Sequence, residues 1–182
     1  MKKNFTKALA APLATIAVAA GVTVALGGPA HAEERRCTGT IRAVAIDGDV
    51  VVPQGATCKL AGTRVDGSVK VYRDATLHAK GVKVNGNVQA ESFRRVEVTP
   101  RTVDGVVQRS RIGGSVQVKQ GGGGEVRRTV VKADIQVFSN DARWAIYNNA
   151  IDGNLQCKSN APRPVGDRNR VGGNKEDQCK TF

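Results

Sequence analysis

A chain of 182 residues with 28 Lys and Arg against 16 Asp and Glu carries a formal charge of +12, with an isoelectric point near 10.0. Aromatic residues make up only 4% of it, too few to interleave with bases, so the charge does not imply a nucleic-acid binder. Its four cysteines form no Cys-x-x-Cys pair and zinc-protease, serine-elbow and phosphate-loop motifs are absent, so no metal and no cofactor is expected.

Residues 1–32 read as an export signal. Lys2, Lys3 and Lys7 form a positive start, Ala8 to Leu26 is rich in Ala, Val and Thr, and Gly27-Gly28-Pro29 breaks the run. Ala30-His31-Ala32 then supplies the small-x-small pattern of a cleavage site. Pro12 and the scarcity of Leu and Ile argue against an uncleaved membrane anchor. The expected product is residues 33–182: secreted, extracellular or wall-associated, and free of the membrane after cleavage. The leader takes three basic residues and no acid, leaving 25 basic against 16 acidic and a net +9. Such a charge suits adhesion to anionic polymers, or alternatively serves only to keep a repetitive sheet protein soluble. One domain is expected at this length.

From Ile41 onward a short cassette recurs: apolar, any, Gly, small polar, apolar, any, apolar. It is carried by Ile46 to Val52, Val65 to Val71, Val84 to Ala90, Ile112 to Val118 and Ile151 to Cys157. Gly48, Gly67 and Gly86 lie 19 residues apart, and Gly153 and Gly173 lie 20 apart. Two before each glycine stand Ile46, Val65, Val84, Val103, Ile112, Val131, Ile151 and Val171. Two after it stand Val50, Val69, Val88, Val107, Val116, Ile135 and Leu155. A third apolar column follows four after it, and a fourth precedes it by seven (Ile41, Leu60, Ala79, Val98, Val126, Ile146).

Apolar and polar residues alternate, and the apolar places are mostly β-branched, the pattern of strands with one face buried. Strands this short gain stability only by stacking, and a fixed period of this length marks a solenoid. The expected fold is all-β: a single-stranded parallel β-helix of about seven rungs of 19–20 residues. Asp-Gly and Asn-Gly pairs predict turns with positive φ. The small polar column Asp49, Ser68, Asn87, Ser115, Asp134, Asn154 and Asn174 is placed to form a hydrogen-bonded ladder at a corner. Ala133 stands where a glycine is expected.

The period slips between Gly105 and Gly114, predicting an insertion near residues 100–125, with Gln120-Gly121-Gly122-Gly123-Gly124 its most flexible part. Column position also sorts the cysteines. Cys37 and Cys58 occupy nearly the same column on adjacent rungs at one end, as do Cys157 and Cys179 at the other. Pairing across the rod would span about 30 Å, far beyond disulfide reach. Cys37–Cys58 and Cys157–Cys179 are therefore expected, each stapling a terminal rung. Trp144, nine before Gly153, shares the column of Cys58, Leu77 and Val96 and should point inward as core or cap, the alternative being an exposed sugar-stacking platform.

The stacked apolar-x-Gly-polar-apolar rungs, over about Ile41 to Cys157, resemble those of bactofilins and similar bacterial right-handed β-helix proteins. That resemblance implies the rod architecture. Bactofilins are cytoplasmic, polymer-forming and free of disulfides; this chain departs in its leader and cysteines, so polymerisation is not implied and a monomer is expected.

Two function classes follow. The leading one is a non-catalytic structural or binding protein, a rigid basic rod contacting anionic cell-wall polymer or polysaccharide. Its candidate ligand-binding residues are Arg94, Arg95, Arg101, Arg109, Arg111, Arg127 and Arg128, which bracket the irregular stretch. The other is a small polysaccharide lyase or hydrolase using Asp47 and Asp66, which share a column on neighbouring rungs. Both aspartates also belong to Asp-Gly turns, which need no catalytic explanation.

Overall fold

A computed structural model describes residues Glu34–Phe182; the expected export signal lies outside these residues. The described chain is all-β and winds as a solenoid of about eight turns, one more than expected, because Arg35–Arg36 begins a rung ahead of the first cassette. Three parallel sheets form its walls: wall 1 with eight strands, walls 2 and 3 with seven each. Each turn runs from wall 1 through wall 2 to wall 3, as in Val50–Val52, Thr57–Ala61 and Arg64–Val65, before returning to wall 1 at Val69–Val71. Equivalent residues stack directly: Val50 on Val69, Val69 on Val88, Val88 on Val116.

The four apolar columns line the shaft. Val50, Val52, Leu60 and Val65 are fully buried, and the same columns stay buried through Ile146 and Leu155. Each such Val, Leu or Ile contributes about 1.5–3 kcal/mol relative to exposure. Three positions depart from this pattern. Val103 and Val107 lie outside the shaft on a hairpin, and Val171, on the last turn, is only partly buried.

All three corners carry polar ladders. At the corner between walls 3 and 1, the amides of Ser68, Asn87, Ser115, Asp134, Asn154 and Asn174 each donate to the side chain one rung back, at 2.7–3.3 Å. At the corner between walls 1 and 2, Asn140 N donates to Asn160 Oδ1 and Asn160 N to Gln178 Oε1. At the corner between walls 2 and 3, Thr129 N donates to Asn149 Oδ1 and Asn149 N to Asn169 Oδ1. These bonds satisfy backbone groups that the bend removes from the sheets.

The cassette glycines serve a different purpose from the one expected. Only Gly48 and Gly105 among them have positive φ. The others are glycine because successive turns touch: a Cβ on Gly67 would lie 2.6 Å from the Gly48 carbonyl carbon. Ala133 is accommodated by slack in the ladder. Its amide reaches the Gly114 oxygen at 3.3 Å, against 2.9 Å for Gly114 to Gly86.

The insertion is an antiparallel hairpin, Arg101–Val103 with Val106–Gln108. The glycine run, expected to be flexible, is instead ordered within a rung, and Gly123–Arg127 is a strand of wall 2. Its glycines leave room for aromatics. A Cβ on Gly121 would lie 2.6 Å from the Phe93 ring, and one on Gly124 would collide with the Val96 carbonyl oxygen. Trp144 fills the space as expected. It is fully buried, its Nε1 donates to the Gly122 carbonyl at 3.0 Å, and it meets Phe93 edge-on at 6.0 Å. Both expected disulfides form, Cys37–Cys58 and Cys157–Cys179, with Cα separations of 5.4 and 5.3 Å.

Candidate anion-binding corner

The hairpin leaves the rod at the corner between walls 2 and 3, and its two ends treat that corner differently. On one side Arg101 folds back, its guanidinium donating to the Ala61 carbonyl at 3.2 Å. On the other side Arg109 lies across the next two corners, donating to the carbonyls of Arg128 at 2.9 Å and Asn148 at 3.1 Å. Two donors thus fix the guanidinium and the remaining ones are left for a ligand.

Beyond Arg109 the corner residues of successive turns are Arg128, Asn148 and Arg168, all in the left-handed region with φ of 46°, 57° and 54°. Asn adopts this conformation readily; an arginine there is uncommon. Together with Arg170 on wall 3, they line a cleft of about 660 Å³ floored by Asn149 and Ala150, with Val107 of the hairpin at its edge. The lining holds four arginines and no carboxylate. Asp167, next to it in sequence, pairs with Arg168 at 3.3 Å. A cleft lined by four guanidiniums, with Arg109 held in place by backbone carbonyls, suits bidentate recognition of phosphate or carboxylate groups.

Wall 3 extends the basic surface. On its outer face Arg64, Lys83 and Arg111 stand on consecutive strands in register, followed by Val130, Ala150 and Arg170. Arg64 has a distant partner in Asp66 at 3.8 Å, whereas Lys83 and Arg111 have no ion-pair partner among the described residues. Like charges about 4.8 Å apart repel one another, and an anionic ligand would relieve that repulsion.

Of the seven arginines expected from sequence, Arg109 and Arg128 meet in the cleft and Arg111 lies on the adjoining wall. The other four are dispersed. Arg94 is at the corner between walls 1 and 2, beside Arg73 and Asp141. Arg101 is committed to Ala61. Arg95 and Arg127 lie on wall 2, bonded to Glu97 and Glu125 at 2.5 Å each, and Arg127 also covers the Tyr147 ring at 4.9 Å. Partial burial would raise the Glu97 carboxyl, but hydrogen bonds from Arg95 and from His78 outweigh it and hold the group below the usual carboxylate range. Arg168 and Arg170 were not singled out in the sequence, although Arg128, Asn148 and Arg168 repeat at 20-residue spacing.

The aspartate column is open surface. Asp47 and Asp66 are both exposed; Asp66 accepts from Asn85 Nδ2 at 2.9 Å and faces Arg64. Asp47 lines a shallow hollow with Glu34, Arg35 and Arg36 at the first rung. Among the described residues no group of three His, Cys, Asp or Glu side chains is placed to hold a metal ion.

Fold and site together define a class: a disulfide-stapled β-solenoid with a basic corner. Compared with family models, curated proteins and solved structures, the chain has no match.

Proposed function

We propose that this is a non-catalytic secreted binding protein, a rigid rod that holds anionic polymers of the cell envelope or extracellular space along one corner. The observation carrying this reading is the convergence of Arg109, Arg128, Arg168 and Arg170 on one cleft whose lining has no carboxylate. Two of these arginines sit at positive φ, where glycine would be easier. A strained residue that persists calls for a reason beyond stability. The bactofilin-like rung supplies the stiffness, and stapled ends suit a rod that works as a monomer.

The test is retention of purified protein on isolated bacterial cell wall, eluted by a salt gradient. Charge-mediated contact through several cations gives salt-sensitive elution, because surface ion pairs are screened. The double variant Arg128→Gly with Arg168→Gly should elute much earlier while folding as before, since glycine accepts these bends. Indifference to salt, or unchanged elution of the variant, contradicts the proposal.

A further inference from the structure

We propose that the outer face of wall 1 is a second binding site, for an uncharged, extended β-1,4-linked glycan chain lying along the rod axis. The site is separate from the arginine corner and does not depend on it.

Its floor is an amide ladder. Gln89 Nε2 donates to Gln117 Oε1 at 3.0 Å, Gln117 to Gln136 at 2.9 Å, Gln136 to Gln156 at 2.9 Å, and Gln156 to Glu176 at 2.8 Å. Each interior glutamine spends one N–H and one lone pair in the ladder, leaving one of each unused. A donor and an acceptor therefore recur at every rung, about 4.8 Å apart, close to the length of one hexose unit in an extended chain. Neighbouring sugar hydroxyls both donate and accept, and match such a row.

The flank carries the apolar contacts. In the adjoining column Glu91, Lys119 and Phe138 stand on three consecutive strands in register, and Tyr72, 50% exposed, lies just past the end of the strand before them. The two rings bracket a groove of about 490 Å³. Aromatic faces offer apolar surface for the C–H faces of a sugar, with a polar handle on tyrosine.

Charge excludes an ionic occupant here. Lys70 is held by Asp49 at 2.6 Å and Lys119 by Glu91 at 3.3 Å, so the groove presents no uncompensated charge, unlike the arginine corner. Stability alone explains the ladder poorly. Fixing a glutamine side chain costs about 1.5–2 kcal/mol of rotamer entropy, and one exposed amide bond returns about 1 kcal/mol or less.

The experiment is isothermal titration of the secreted chain with cellohexaose and with chitohexaose in about 0.5 M salt, where the basic corner is screened. Saturable binding of at least one hexasaccharide is expected. Gln117→Leu with Gln136→Leu, and separately Tyr72→Ala, should weaken it about tenfold or more. Gln117→Glu serves should the leucine variant fail to fold, because it keeps shape while breaking the ladder's donor sequence. Arg128→Gly with Arg168→Gly should bind the glycan normally, which separates failure of this site from failure of the corner. The proposal is overturned if neither hexasaccharide binds or if folded ladder variants bind like the parent. Sedimentation showing a dimer that Tyr72→Ala dissolves would equally overturn it, making this face a contact between copies.

Discussion

The corner between walls 2 and 3 looks different on the two sides of the hairpin. Before it, the bend is made by Gly62 and Gly81, with φ of 70° and 60°. After it, nearly the same left-handed bend is made by Arg128, Asn148 and Arg168. The glycines come where chain must lie on the corner: a Cβ on Gly81 would sit 2.7 Å from Arg101 Cβ, and one on Gly62 2.5 Å from the Arg101 guanidinium. Past the hairpin the Arg109 side chain crosses the corner, and Arg128, Asn148 and Arg168 occupy it. The rung dictates the backbone; what must pack on it, or bind to it, dictates the residue.

Substitutions can break that comparison, and the largest effect belongs to the shaft core, where Trp144 begins its wall-2 strand. Trp144→Ala should cost about 3–5 kcal/mol, more than the shallower loss from Leu77→Ala in the same column before the hairpin, read as midpoints of chemical unfolding. Gly81→Arg, which imposes the later corner on the earlier one, should cost about 2 kcal/mol by displacing Arg101 and should expose residues 101–108 to limited proteolysis. Arg128→Gly should be neutral to stabilising by up to about 1 kcal/mol; a substantial loss of stability would mean that the arginine is structural.

The smallest effect is electrostatic and lies at the other end. The Lys70 ammonium and the Ser68 amide both bond the Asp49 carboxylate and hold it below its usual range. A carboxyl lowered in the folded state stabilises above its unfolded value and loses that contribution as pH falls through the folded one. The first rungs should therefore loosen in acid, and Asp49→Asn should flatten the acid limb of a melting profile, the effect staying within about 1 kcal/mol because the pair is partly exposed.

Much of this was legible in the sequence, and the reason is periodicity. Val50, Val69 and Val88 announce their stacking by spacing alone, and the same spacing places Asp49 under Ser68 and Cys157 near Cys179. What escaped was whatever the period does not govern. Val103 and Val107 fit the cassette around Gly105 but belong to the hairpin, because two apolar residues flanking a turn suit either setting. The glycine run at 121–124 has the composition of a flexible loop, yet it exists to seat Phe93 and Trp144, which a one-dimensional reading cannot pair with it. The seven candidate arginines cluster along the chain between 94 and 128, whereas a solenoid gathers residues one turn apart. Arg127 and Arg128 accordingly part company, one to wall 2 and one to the corner, while Arg128 and Arg168 share a cleft across 40 positions.

Arginine modification by phenylglyoxal, mapped by mass spectrometry with and without a soluble polyphosphate, tests the localisation most directly. The corner model predicts protection of Arg109, Arg128, Arg168 and Arg170, with Arg35, Arg73 and Arg94 modified equally in both samples. Uniform protection of all arginines, or protection confined to those outside the cleft, would contradict it.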